Sequence, residues 1–282
     1  MTMRVIVLLL CSIAPLFAQT REDQIAAVRK NTQRYLVWDS AVADGYKLFG
    51  REGPMAGEHW YRKELVDKPL DLAHPSTLQY AMINGERRLI GVAYTIYERP
   101  GEALPEGFVG EDDAWHVHDV DQLALAVTRD RPLLRAIVKR RIAKGKTGAG
   151  DGRNQLTMLH AWIWQDNPKG MFTLEHTALP YLRAGLPTEL AASADEFAPW
   201  GVALLDPRAC DWEIGRVKFE HDATKEQLDR LRNACRNAAL VMKESAAREP
   251  HDRLNAAASQ AWRSYLATRD SVFPSQEHSH HH

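Results

Sequence analysis

The sequence predicts an α+β fold, an antiparallel sheet packed by a long N-terminal helix and followed by a C-terminal helical hairpin. Three observations carry the prediction. Apolar residues recur at helical spacing from Arg21 to Phe49, alternate at strand spacing around an Asn84-Gly85 turn, and return to helical spacing in an alanine-rich stretch after His221.

The chain opens with one basic residue, Arg4, and an apolar run from Val5 through Phe17 that is too short to span a bilayer. A small residue, Ala18, precedes a polar boundary, so residues 1–18 read as a secretory signal peptide and the protein is expected to be periplasmic or secreted. Cys11 lies inside the apolar run after three leucines, which argues against a lipid anchor. With 36 Lys and Arg against 37 Asp and Glu, there is no overall charge to attract nucleic acid. The 45% hydrophobic content supports a substantial core. Cys210 and Cys235 are either bridged, as export would permit, or two buried thiols.

Residues 19–220 are expected to form the α+β domain. Its first element is the helix from Arg21 to Phe49, with Ile25, Val28, Tyr35, Leu36, Val42 and Tyr46 on one stripe, Thr20 as cap and Gly50 as stop. A glycine-containing loop from Gly50 to Gly57 then delivers Glu58, His59 and Trp60. Leu78 to Ile83 and Leu89 to Tyr97 form a β-hairpin, and the second strand is apolar or small on both faces, as in a strand covered on both sides. A third strand lies near Trp115 and a fourth runs from Gln155 to Trp164, closed by an Asn167-Pro168-Lys169-Gly170 turn.

Between the last two strands, Asp130 to Lys144 reads as a helix with Asp130 as cap and Pro132 in its first turn. Its face of Arg135, Lys139, Arg140, Arg141 and Lys144 is either solvated or a peripheral dock for an anionic membrane or substrate. The following Gly145-Lys146-Thr147 is not a phosphate-binding loop, because the earlier glycine such a loop needs falls at Arg140. Residues 221–274 form the helical hairpin: Thr224 to Gln227 is a capping box, Pro250 breaks the helix and Asp252 can cap the next. The tail 275–282 carries His278, His280, His281 and His282, natural or a tag remnant, and is set aside.

The chemistry concentrates in histidines. His116 and His118 sit at i and i+2 of a strand, on one face and about 6.6 Å apart. His160 lies on a strand face otherwise made of Leu156, Met158, Trp162 and Trp164, where an imidazole needs partners for both nitrogens. His59 follows the glycine loop. These four are the expected ligands of one transition-metal ion, zinc or copper, with His176 a further candidate and Asp119 and Asp121 placed to orient the rings. Imidazole is the commonest metal-binding side chain and suits either metal. No Gly-x-Ser-x-Gly elbow, His-Glu-x-x-His helix or zinc-finger cysteine spacing is present, and nothing in the sequence names a reaction. Two other readings stay open. One is a non-catalytic binding protein whose pocket of Trp60, Trp115, Trp162, Trp164 and Tyr94 takes an apolar or planar small molecule such as haem; the other is a structural envelope protein.

Several blocks together resemble an uncharacterised family of exported bacterial proteins. They are Tyr35, Ala43-Asp44-Gly45-Tyr46, Gly57-Glu58-His59-Trp60, Pro75 to Tyr80, Leu89 to Tyr94, and Leu159-His160-Ala161-Trp162 with Asn167 to Phe172. Some relatives share the Trp115-His116-Val117-His118 element. The resemblance covers about residues 30 to 180 and implies a shared architecture and site, with no established activity. This chain departs from it at Gln79 and Ala93, where many relatives carry glutamate.

Overall fold

The computed structural model describes residues 20–66, 71–110, 113–128, 131–149, 152–248 and 251–274. The leader, the Asp130 cap, the Pro250 break and the histidine tail lie outside the described residues.

The long N-terminal helix of the sequence reading is broken into three. α1 (Arg21–Thr32) opens with a reciprocal cap between Thr20 and Asp23, a 3₁₀ turn spans Gln33–Leu36, and α2 (Trp38–Ala43) follows. The break has a tertiary cause. The hydroxyl of buried Tyr80 donates to the Tyr35 carbonyl at 2.7 Å, and the Tyr35 hydroxyl donates to Asp44 at 2.8 Å, so the chain at Tyr35 is held by partners outside the helix. Val37 is extended, and Gly45 at φ +89° turns the chain into β1 (Lys47–Gly53). Phe49 and Gly50 therefore belong to a strand, and His59 stands in β2 (Gly57–Tyr61) rather than after a loop.

The predicted hairpin is β3 (Thr77–Ile83) and β4 (Glu86–Glu98). Asn84 and Gly85 both take positive φ, as a tight hairpin turn requires. β5 (His116–Asp119) and β6 (Gln155–Ala161) complete a six-stranded, wholly antiparallel sheet in the order β1-β2-β3-β4-β6-β5. α3 (Val120–Val127) leaves β5 directly, and α4 (Pro132–Ile142) is a surface helix with Leu133 and Ile137 exposed.

One sheet face presents Trp60, Leu78, Tyr80, Val92, Tyr94 and Leu159 to Val28 of α1 and to Tyr35, Tyr46 and Phe172, forming the larger sheet core. On the opposite face Ala81, Ile83, Ile90 and Trp162 pack against Leu179 of α5 (Leu179–Arg183). Beyond it lie α6 (Ala198–Ala203), α7 (Ala209–Glu220), α8 (Lys225–Arg248) and α9 (His251–Val272), the last two being the predicted hairpin. Thr224 and Gln227 cap α8 reciprocally. A second core joins Tyr181, Val202, Ile214 and Val217 to Leu231, Met242, Leu254 and Trp262, so the hairpin and α5–α7 share one apolar interior. The Cys210–Cys235 disulfide ties α7 to α8. Among the described residues no helix is long and apolar enough to cross a membrane.

Candidate metal centre

Strand period two puts His59, Gln79, Gly91, Ala93, Met158, His160, His116 and His118 on the sheet face opposite the larger core. The registers confirm it: His59 stands opposite Gln79, Gln79 opposite Gly91, Ala93 opposite His160, and Met158 opposite His116. The four histidines predicted as ligands are brought together in a chain of rings. Centroids are 5.4 Å apart for His59 and His160, 4.8 Å for His160 and His116, and 4.9 Å for His116 and His118. Nε2 of His59 lies 3.5 Å from Nε2 of His160. Among the described residues, no three His, Cys, Asp or Glu side chains as placed form a set that would hold one ion.

His160 is 2% exposed and its Nδ1 lies 2.8 Å from the carbonyl oxygen of Leu174. A carbonyl only accepts, so Nδ1 carries the hydrogen and the neutral ring turns a bare Nε2 lone pair toward His59. This is the outer-shell arrangement that fixes the tautomer of a metal-binding imidazole. Two buried polar atoms nearby are less well served. The Oε1 of fully buried Gln79 has no hydrogen-bond partner, although its Nε2 lies 3.5 Å from Nε2 of His59. Nδ1 of His116 is buried without a hydrogen bond of ordinary geometry, while the Ala114 backbone draws the ring's basicity slightly upward.

Burial dominates the electrostatics. Desolvation, then the neighbouring His118, pushes His59 down to about 4; desolvation, then His118 and His59, pushes His116 down to about 4. His160 is held well below the usual range by burial and then by His59 and His116, and burial lowers His118. All four rings are therefore neutral at pH 7, the form in which imidazole binds a metal.

Other expected participants stand elsewhere. His176 is fully buried and donates from Nε2 to the Gln165 carbonyl at 3.1 Å, and the Trp162 ring separates it from His160. Asp119 does not orient an imidazole: its Oδ1 accepts from the backbone N–H groups of Asp121 and Gln122 and caps α3. Asp121 accepts from Asn154 at 3.2 Å. Glu58 accepts from Trp60 and Arg87 on the other sheet face. The five aromatic residues expected to line one pocket are divided by the sheet. Trp60 and Tyr94 are core, with Trp115 and Trp164 packed against them, while Trp162 faces the opposite side.

Beside the histidine row, between the sheet and the C-terminal helices, lies a cleft of about 1010 Å³. Phe49, Tyr97 and Leu156 line it from the sheet, and Trp200, Trp212 and Trp262 from the helices. Neither this cleft nor the contact of Met158 Sδ with His160 Nε2, at 3.2 Å, is singled out from sequence. The only available signal for Met158 was its position two residues before His160. No family model, curated protein or solved structure matches the chain.

Proposed function

We propose that this protein is an exported metal-binding protein that holds one transition-metal ion, zinc or copper, through His59, His116, His118 and His160. The observation that carries the reading is the 3.5 Å separation of the His59 and His160 Nε2 atoms, with His160 already oriented by Leu174. Two nitrogens bound to one tetrahedral ion at about 2.0–2.1 Å stand about 3.3 Å apart, so this pair needs little movement to share one. His116 and His118 reach the ion by rotation about their side-chain bonds, with their backbone positions fixed by pairing to β6. The two positions at which many relatives in the resembled family carry glutamate, Gln79 and Ala93, fall on this same face. Three bound imidazoles would leave a position open for water or substrate, the arrangement of catalytic sites. Export is supported by the disulfide, which persists in oxidising compartments.

Elemental analysis tests the reading on protein purified without metal-affinity resin, its four tail histidines replaced by Asn. The expected result is one ion per chain, lost in a His116→Ala, His118→Ala double variant. Stoichiometry near zero after reconstitution with both metals contradicts it.

The cleft favours a second reading, a binding protein for an apolar small molecule. Its volume and aromatic lining suit such a ligand. Quenching of tryptophan fluorescence by a long-chain fatty acid, reduced in Trp212→Leu, is the expected result; no quenching at any concentration contradicts it. A haem titration that leaves the Soret band of free haem unshifted and unsharpened removes the planar version.

A further inference from the structure

The identity of the metal rests on the proposal that the histidine site binds one at all. Met158 stands on β6 two residues before His160, so both side chains leave the same face of the strand. It lies directly opposite His116 in the β5–β6 pairing and is 8% exposed. Its Sδ is 3.2 Å from Nε2 of His160, closer than the 3.5 Å at which Nε2 of His59 stands from that atom.

The chemistry of this contact is unusual for a packed methionine. Sulfur against an aromatic ring normally sits about 5 Å from the ring and near its edge, as a polarizable filler. Here it faces a single nitrogen at hydrogen-bond distance. Yet the hydrogen of the neutral His160 ring is on Nδ1, committed to the Leu174 carbonyl, so Nε2 has none to give. A thioether has no hydrogen either. Two lone-pair atoms therefore face each other in the interior, with Nε2 of His59 3.5 Å away on another side. His59 can serve Nε2 of His160 as a donor, but Sδ is left without one. A metal cation satisfies all three atoms at once.

We propose that Met158 is a ligand and that the resident ion is copper, bound as Cu(I) by Sδ of Met158 together with Nε2 of His59 and His160. A thioether is a soft donor that selects Cu(I), whereas zinc sites are built from thiolate, imidazole and carboxylate. For metal–ligand bonds of about 2.0–2.3 Å at a tetrahedral angle, neighbouring ligand atoms stand about 3.3–3.8 Å apart, so the 3.5 Å separation fits as it stands and the 3.2 Å one opens by a few tenths of an ångström when the ion enters. His116 and His118 lie next along the row and complete the coordination of the same ion.

The experiment compares Cu(I) and Zn(II) binding by the full chain, its tail histidines replaced by Asn, under anaerobic reducing conditions against a chromogenic Cu(I) chelator. Met158→Leu nearly conserves volume and is expected to fold. The expected result is a Cu(I) affinity about 10-fold or more weaker in Met158→Leu, with Zn(II) affinity changed by less than about 2-fold. Selenomethionine-labelled protein removes any dependence on that variant: X-ray absorption at the selenium edge should show copper as a direct neighbour of one selenium. Copper bound with only nitrogen and oxygen neighbours, and an affinity indifferent to Met158→Leu, overturns the inference while leaving the metal-site proposal standing. Failure to bind either ion overturns both.

Discussion

Nε2 of His59 and Nε2 of His160 lie 3.5 Å apart although β2 and β6 are separated in the sheet by β3 and β4. Three strand spacings in a flat sheet would put their backbones about 14 Å apart. Two features close the gap. The sheet curls, with irregular pairing between Gln79 and Tyr80 in β3, and the strand lying beneath the two rings places Gly91 and Ala93 on that face. The site is thus made by small residues in the middle of the sheet as much as by the imidazoles at its sides.

Gly91 is the sharpest test of that geometry. A Cβ there would meet the Ala161 carbonyl oxygen at 2.7 Å, the Trp162 ring at 3.0 Å and the Gln79 Oε1 at 3.1 Å. Backbone cannot give way as a flexible side chain can, so Gly91→Ala is expected to cost about 1–3 kcal/mol by overpacking. Because the strain falls on the floor between His59 and His160, metal affinity should fall as well. Urea denaturation and metal titration of the same variant check both; unchanged values in both would mean that the curl is not needed.

The metal-free protein should lose stability as the pH falls from about 6.5 toward 4. His59 and His116 are held near 4 in the folded chain, against about 6.5 when unfolded. Between these values the unfolded state takes up protons that the folded state refuses, so stability is full above about 7, declines through the window and levels off below it. Each such histidine contributes about 3 kcal/mol to the decline. Denaturation midpoints across the window measure it, and His59→Gln should flatten the slope. By the same argument the folded protein keeps its metal to a lower pH than free imidazole would. Release complete by pH 6 would contradict these depressed values.

A buried ionic clamp pins β1 to the helical layer and shapes the wall of the cleft. Arg183, whose side chain is 4% exposed, pairs with Glu52 and donates to the carbonyl oxygens of Gly53, Pro54 and Met82; Arg208 pairs with Glu52 at 2.6 Å and Asp206 at 2.9 Å. Glu52→Ala leaves the Arg183 guanidinium without its nearest counter-charge, and we expect a loss of about 3 kcal/mol in chemical denaturation. A loss below about 1 kcal/mol would mean that the carbonyl acceptors and Asp206 suffice.

The Cys210–Cys235 bridge closes a loop over a sequence separation of 25 residues between α7 and α8. Reduction should lower stability by about 3 kcal/mol on the chain-entropy account, seen as a reduced thermal midpoint that a Cys210→Ser, Cys235→Ser variant reproduces. An oxidised protein no more stable than the reduced one would place the folding energy of this layer in its apolar core alone.

Local signals were legible in the sequence and long-range ones were not. Asn84-Gly85 and the Thr224–Gln227 box marked a turn and a helix start, since each acts through its own neighbours. Strand alternation put His116 with His118 and Met158 with His160. By contrast, the end of the N-terminal helix depends on the Tyr80 hydroxyl reaching the Tyr35 carbonyl across 45 positions, and helical spacing through Phe49 concealed β1. Gly57 looked like loop punctuation. It is a strand residue at φ +66° whose missing Cβ lets the Tyr80 carbonyl approach. Asp119 looked like an imidazole partner because it follows His118, yet on a strand it faces the other way and caps the next helix. The four histidines were nameable from residue type and period, while their mutual distances depend on sheet curl, which no single segment encodes.

The most direct test of the metal-site proposal is a crystal structure of the metal-loaded protein with anomalous data collected on both sides of the copper and zinc absorption edges. The account predicts one anomalous peak within about 2.0–2.2 Å of Nε2 of both His59 and His160, on the sheet face that carries Gly91 and Ala93. A peak confined to the tail, or none on that face while the His59 and His160 rings keep their 3.5 Å contact, would contradict it.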